Sequence, residues 1–422
     1  MAETTYETRL KNEESFYKEA LLVHDLPAIY HYWSEKYLRP KLKAAGFASI
    51  SALFTDPLRA ACARRQPARF LSIGAGNCDV EIDIAAALTA DGHHNFVIDC
   101  LDLNPAMLER GVQAAAERGL ARHIAPLQGD FNHWTAIAEY DAVLANQALH
   151  HVMNLEGLFA EIRRSLRPDG CFVISDMIGR NGHLRWPEAL TLIYEFWRTL
   201  PASHRFNWQL RRYEAMFQDW DCSGDSFEGI RSQDILPLLL EQFHVDRFVA
   251  FGNLIDPFVD RSFGHNFDVN DEWDRAFIDA VHARDEQGLA DGTLTPTHLF
   301  AVVDLRHGTP SAHLDPPDPA RCVRRGIAVD AEAPQAPQAE NRLEGMIVEL
   351  EAERCRLAAS LQAKCQEAQF LNDELIKRTE WAWGMERELN ERTRWAMALD
   401  RRIAELTKSS GWAGRLWNRK QS

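Results

Sequence analysis

The sequence predicts an α/β chain, with a parallel sheet covered by helices, a helical segment before it and a coiled coil after it. Three observations predict this. Between about residues 66 and 176, short apolar runs alternate with amphipathic helical patterns, the spacing that packs parallel strands under helices on both faces. The first run, Phe70, Leu71 and Ile73, breaks into Gly74-Ala75-Gly76 and then into a helical pattern carrying Val80, Ile82, Ile84, Ala85 and Leu88. From Leu343 to Leu406, a mostly apolar seam advances in alternating steps of four and three without slipping.

The elements follow in order. Residues 1–65 read as helices covering the ligand side of the sheet, with aromatics at Phe16, Tyr17, Tyr30, Tyr32, Trp33 and Tyr37 and few strand signals. The main domain is expected over 66–306. Its strands are Phe70–Ile73, Phe96–Leu101, a short one near Ile124–Leu127, Ala142–Ala145 and Cys171–Ser175. Helices are expected at Pro105–Arg118 and Leu155–Leu166, and Arg167-Pro168-Asp169-Gly170 turns the chain into the next strand. Residues 177–230, with many aromatics, arginines and Pro or Gly breaks, read as an insertion on the acceptor side. A helix near Ser232–Glu241 precedes strand-like Val245–Phe251 and Leu299–Leu305. Between those strands an amphipathic helix puts Trp273, Phe277, Ile278 and Val281 on one face.

Prolines and the loss of any apolar period make 307–341 a linker. The coiled coil is placed at 342–407, roughly 95 Å long at about 1.5 Å per residue. Its seam is interrupted by Arg354, Lys364, Arg378 and Arg392, and Arg378-Thr379-Glu380-Trp381-Ala382 recurs as Arg392-Thr393-Arg394-Trp395-Ala396. That recurrence is two heptads on, so both copies share a face. Residues 408–422 form a basic tail with Trp412 and Trp417, suited to a membrane interface or a partner surface.

Bulk properties narrow the function classes. Hydrophobic residues make up 46% of the 422 and charged ones 26%, an ordinary soluble balance. A net charge of −15 argues against a general nucleic-acid binder. Met1 to Lys11 is polar, with no secretory signal, and no apolar run reaches bilayer-spanning length. Eight cysteines without a CxxC pair predict reduced, mostly buried thiols and a cytoplasmic location.

The glycine turn is not built for pyrophosphate. A dinucleotide fold would place a third glycine where Asp79 stands, and a phosphate loop would add a lysine followed by Ser or Thr. Asp102, where the second strand ends, suits the two vicinal hydroxyls of a ribose, or else caps the following helix. Asp130 ends the third strand, where it can accept from an adenine amino group with Phe131 beside the ring, or serve as a turn aspartate. The fourth strand delivers Asn146, Gln147, His150 and His151 to the same edge.

In this order and spacing, Gly74-Ala75-Gly76, Asp102, Gly129-Asp130 and the Ala145–Val152 segment resemble class I S-adenosylmethionine-dependent methyltransferases, over about residues 66–305. The resemblance implies a Rossmann-like methyltransferase sheet with a final antiparallel strand pair, and S-adenosyl-L-methionine as cofactor. It implies that Gly74 and Gly76 let the backbone pass the methionine moiety. Asp102 would hold the ribose, Asp130 the adenine amino group and Asn146 the methionine end. Many members carry an acid two residues before the first glycine, where this chain has Ser72, and Glu81 is the candidate to contact the cofactor's ammonium instead. The Val23–Trp33 segment and the Trp-bearing heptads further resemble bacterial methyltransferases of cell-surface polysaccharide (O-antigen type, lipopolysaccharide) assembly. That implies a glycan or glycolipid-linked acceptor with a hydroxyl or phosphate. It also implies homo-oligomerisation through 342–407, a glycosyltransferase or membrane-surface partner, and a peripheral position at the inner face of the membrane.

An alcohol acceptor needs its proton removed, and imidazole titrates near neutrality. His151 is the first candidate, then His150 and Asp176, with His183 next. No metal is expected, since no spacing of ligand-type residues points to one. Two other readings stand beside the glycan one. They are a small-molecule O- or N-methyltransferase with a purely oligomerising coil, and a non-catalytic cofactor-binding assembly protein.

Overall fold

Among the described residues the seven predicted strands are all present, with three further short ones. In the computed structural model, which describes residues 6–19, 26–306, 313–324, 364, 385, 389 and 392–406, the strands are β1 Ala68–Ile73, β2 Phe96–Asp102, β3 Ile124–Gln128, β4 Tyr140–Asn146 and β5 Leu166–Met177. A small hairpin, β6 Phe206–Asn207 and β7 Arg212–Tyr213, precedes β8 His244–Phe251, β9 His298–Asp304 and β10 His313–Asp315. Eight of them form one sheet in the order β10-β8-β9-β5-β4-β1-β2-β3. The pairs from β3 to β5 are all parallel, and β9 runs antiparallel to both β5 and β8. This is the α/β Rossmann-like sheet with the final antiparallel pair that the sequence predicts.

Local sequence explains the helices. Pro105–Glu117 starts with proline at its first position under an Asn104 cap, whose side chain accepts from the Ala106 amide at 3.0 Å. Leu155–Ser165 turns Leu158, Phe159 and Ile162 inward at three- and four-residue spacing against Phe172 and Phe243. Glu272–Asp291 is capped by Asp271, which accepts from the Trp273 and Asp274 amides. It ends at Gly292 with φ +77°, a conformation that favours glycine. One apolar cluster fills each face of the sheet, with Phe70, Leu144 and Trp197 on one side and Leu71, Phe159 and Phe172 on the other.

The structure departs from the sequence reading in four places. Arg167-Pro168-Asp169-Gly170 does not separate helix from strand: β5 already pairs at Leu166, and these residues bulge out before pairing resumes at Cys171. Trp273 is 45% exposed, whereas Phe277, Ile278 and Val281 are buried. It stacks on Phe277 from the rim and does not join the core. Within the stretch read as linker, residues 313–315 pair with β8 as an edge strand and Pro319–Cys322 forms a short helix. And Trp197 of the supposed acceptor insertion lies wholly inside, within the helix Pro187–Thr199.

The chain divides into two units, Met1–Ala352 and Glu353–Ser422. In the second, residues 392–406 are helical, with Trp395, Met397, Leu399, Ile403 and Leu406 exposed on the single chain. The rest of the 342–407 seam, most of 307–341 and the tail 408–422 lie outside the described residues. Cys62, Cys78, Cys100 and Cys322 are buried free thiols, and Cys171 and Cys222 are partly buried ones. No described helix is long and apolar enough to cross a membrane.

Candidate active site

β1 lies between β2 and β4, where chain order reverses, so a crevice opens at the carboxyl ends of these strands. Gly74 and Gly76 turn the chain there with φ +67° and +53°. A Cβ on Gly74 would stand 2.6 Å from the Ala148 Cβ, so only a bare backbone fits between β1 and the segment after β4. The Gly74 and Ala75 amides donate to the Leu101 carbonyl at 2.8 and 3.1 Å. Close packing against the turn, which a third glycine would give, comes from the neighbouring helix. There a Cβ on Gly111 would lie 2.7 Å from the Asn77 carbonyl oxygen.

Asp102 ends β2 beside this turn. Its two oxygens accept from the Gly76 and Asn104 amides, both at 2.8 Å. Each oxygen keeps a lone pair for a further donor. The helix-cap alternative falls away, because Asn104 caps that helix. Burial pushes the Asp102 carboxyl up, against the pull of the two amides.

Ser72 and Glu81 form the buried floor. The Ser72 hydroxyl donates to Glu81 Oε1 at 2.6 Å, while Glu81 Oε2 is buried with no hydrogen-bond partner. Burial, with added repulsion from Asp79 and Asp102, raises the Glu81 carboxyl to about 7. An acid is thus present at the end of β1, reached from the following helix and not from the strand.

At the end of β3, Asp130 accepts from the Asn132 amide at 2.9 Å, from His133 Nδ1 at 3.0 Å and from the Tyr6 hydroxyl. Burial pushes its pKa up, but these partners outweigh it and hold it below the usual range. Tyr6 opens helix α1, Tyr6–Glu19, and its ring packs between His133 and Phe227. Phe131 is half-buried against the apolar cluster of the opposite face. Asn146 ends β4 opposite Ser175, half-buried at the crevice.

Both histidines after β4 reach a carboxylate cluster. His150 is buried, its Nδ1 2.7 Å from Asp176 Oδ1 and its Nε2 3.5 Å from Glu228 Oε1. Burial would lower its pKa, but Asp176 and Glu228 raise it to about 10. His151 Nδ1 lies 3.0 Å from Glu13 Oε1 on α1, and its Nε2 lies 3.6 Å from Glu228 Oε2. His183 Nε2 meets Glu228 Oε1 at 2.8 Å. Asp176 is completely buried, and its oxygens accept from the Ala148, Leu149 and Met177 amides besides His150. It therefore positions His150 and the turn after β4, and the catalytic role assigned to it from sequence does not fit.

Tyr6, Glu13 and Glu228 were not legible in the sequence. Glu228 sits in an aperiodic loop whose Ile230 amide donates to the His150 carbonyl, and no local pattern marks it. Conversely, most arginines of 177–230 serve the fold. Arg185 pairs with Asp256 at 2.9 Å, Arg205 binds the Leu200 and Ala215 carbonyls, Arg212 pairs with Glu214, and Arg180 lies over Trp186.

Residues 71–174 match the family model described as a methyltransferase domain. The sarcosine/dimethylglycine N-methyltransferase of Aphanothece halophytica is 32% identical over 85 residues, 20% of this chain and 31% of that protein. The chain thus spans about a third of the length of the curated relative it matches. Among solved structures, the putative sarcosine dimethylglycine methyltransferase from Galdieria sulphuraria is 16% identical at a TM-score of 0.38, covering 69% of this chain and 97% of that one. The geranyl diphosphate C-methyltransferase from Streptomyces coelicolor A3(2) is 12% identical at a TM-score of 0.39, covering 72% and 100%. Residues 71–174 thus match a methyltransferase domain, and the glycine turn, Asp102, His150 and His151 all stand at or just after the carboxyl ends of its strands.

Proposed function

We propose that the chain transfers a methyl group from S-adenosyl-L-methionine to a hydroxyl of a glycan or glycolipid-linked acceptor. One observation carries the methyl-transfer reading: the buried, unpartnered Glu81 Oε2 beside the bare Gly74–Gly76 backbone and Asp102. An orphaned carboxylate oxygen asks for a cationic donor, and the cofactor's ammonium supplies one. Gly74 and Gly76 leave room for the methionine chain, Asp102 accepts from the ribose hydroxyls, and Asp130 with Phe131 borders the adenine side. Bound there, the cofactor supplies a methyl group on a sulfonium, already activated for in-line displacement.

The acceptor side rests on the histidines. His151 is less buried than His150 and stands between Glu13 and Glu228, which stabilise its imidazolium once it takes the acceptor's proton. His150, held from behind by Asp176, fixes the turn that carries it. A base of this kind favours a hydroxyl over a phosphate, which is already ionised. The glycan assignment rests on the resemblance of the N-terminal segment and the Trp-bearing heptads. It includes assembly through residues 342–407 and docking on a glycosyltransferase or a membrane surface at the cytoplasmic side. A small-molecule acceptor is the second reading, favoured by the 85-residue similarity to a sarcosine/dimethylglycine N-methyltransferase. Transfer of tritium from labelled cofactor separates them. Label in the polysaccharide fraction supports the first and label only in small molecules the second. No transfer to either, with cofactor bound, leaves an assembly protein.

A further inference from the structure

The turn after β4, the turn after β5 and the 226–230 loop bring two imidazoles and a carboxylate to one point. One ligand atom each from His150, His183 and Glu228 lies within 4.8 Å of the others. The His183 Nε2–Glu228 Oε1 distance is 2.8 Å, the His150 Nε2–Glu228 Oε1 distance is 3.5 Å, and the two rings are centred 5.3 Å apart. We propose that His150, His183 and Glu228 bind a divalent transition-metal ion of the zinc type.

Donor chemistry and geometry support this. Two imidazole nitrogens and one carboxylate oxygen suit Zn²⁺, Co²⁺ or Fe²⁺, whereas Mg²⁺ and Ca²⁺ prefer oxygen-only sets. Three protein ligands with a fourth position open is the arrangement of catalytic rather than structural zinc. Solvent reaches the cluster at Glu228, whose side chain is 35% exposed against 5% for His150 and 13% for His183. Behind the site, Asp176 Oδ1 holds His150 Nδ1 at 2.7 Å, and three backbone amides hold Asp176. A carboxylate behind a ligating histidine fixes the ring and leaves Nε2 for the metal. The backbone packs tightly here: Gly229 has φ +66°, and a Cβ on it would stand 3.0 Å from His183. His151 borders the cluster, its Nε2 3.6 Å from Glu228 Oε2 and its Nδ1 3.0 Å from Glu13 Oε1.

At this position the ion would take the acceptor oxygen as its fourth ligand and ease loss of its proton to His151. That role rests on the methyl-transfer reading, but metal binding itself does not. The test uses the full chain, stripped with chelator and titrated with Zn²⁺ against a chromophoric competitor, then with Co²⁺ followed by visible absorption. One equivalent per chain is expected, with a Co²⁺ d–d spectrum. H183A and E228Q should each weaken binding at least 100-fold, and the surface control H94A should not. D176N should weaken it about 10- to 100-fold. Thermal melts establish that E228Q folds if H183A does not. Wild type binding no more Zn²⁺ than H183A, or both ligand variants binding like wild type, overturns the site. S-adenosylhomocysteine affinity measured on the same samples separates the two ideas. Cofactor binding lost with Zn²⁺ bound rejects the methyl-transfer reading alone. Turnover retained with no Zn²⁺ bound rejects the ion's role at the acceptor oxygen, while binding itself stands or falls on the titrations.

Discussion

Glu81→Gln should flatten the pH dependence of cofactor binding. Burial among Asp79 and Asp102 lifts the Glu81 carboxyl from 4.5 to about 7, although the Ser72 hydroxyl pulls the other way. The sign follows from which state holds the proton. Between 4.5 and about 7 the folded protein keeps it and the unfolded chain has lost it, so stability of the free protein falls as pH rises through that window. The loss levels off above about 7 and amounts to about 3 kcal/mol at 1.36 kcal/mol per pH unit. A bound ammonium reverses the balance, because it favours the ionised carboxylate. At pH 5.5 about 3% of Glu81 is ionised and at pH 7.5 about three quarters, so affinity should rise about 20-fold across that range. The ligand's own α-amino group, which titrates near 7.7–8.0 in peptides, stays mostly charged there. Isothermal titration with S-adenosylhomocysteine at several pH values reads the slope, and buffers of different ionisation enthalpy count the proton released. In E81Q, where the amide oxygen still accepts from Ser72, affinity should be low and flat. A flat wild-type profile, or an unchanged slope in E81Q, would sink the assignment of the ammonium to Glu81.

Two further outcomes are expected. His151→Ala should leave S-adenosylhomocysteine affinity unchanged and lower turnover about 10²- to 10⁴-fold, and near-normal turnover would remove His151 as base. Gly74→Ala puts a Cβ 2.6 Å from Ala148 at φ +67°. The left-handed strain and the clash together should cost about 2 kcal/mol, lowering Tm by about 2–4 °C in calorimetry for a unit of this size, and an unchanged Tm would show that the turn relaxes freely.

The sheet was legible because parallel strands buried on both faces read as plain apolar runs. β1, β2 and β4 each lie within two residues of the predicted spans. The glycine turn, which alone occurs in many α/β folds, became legible through Asp79 in place of a third glycine and through Asp102 and Asp130 at the next strand ends. What escaped has a common cause. Arg180, Arg185 and Trp197 have the composition of a ligand surface, yet backbone carbonyls, Asp256 and neighbouring rings take them, and composition does not say which partner wins. The edge strand β10 is only three residues long, too short for any period to show, and prolines on both sides disguised it.

The site itself divides along the same line. Asp102 and the glycines sit at the carboxyl ends of two consecutive strands, so the strand spacing places them. Glu228 reaches the crevice from 77 residues after His151, and Glu13 and Tyr6 reach it from the first helix, across 138 positions to His151 and 124 to Asp130. Their work is electrostatic: Glu13 and Glu228 face His151, Glu228 faces His150 and His183, and Tyr6 donates to Asp130. Such charges meet only after the sheet has closed, because the fold and not the local sequence sets their distances. Ser72 shows the converse. Judged alone it is a missing acid, but with Glu81 one helical turn into the next element it is half of a hydroxyl–carboxylate pair at the same point in space. The carboxylate supplied from the helix is only 3% exposed, and that burial is what lifts it to about 7 and, with the cofactor's ammonium assigned to it, should make cofactor binding depend on pH.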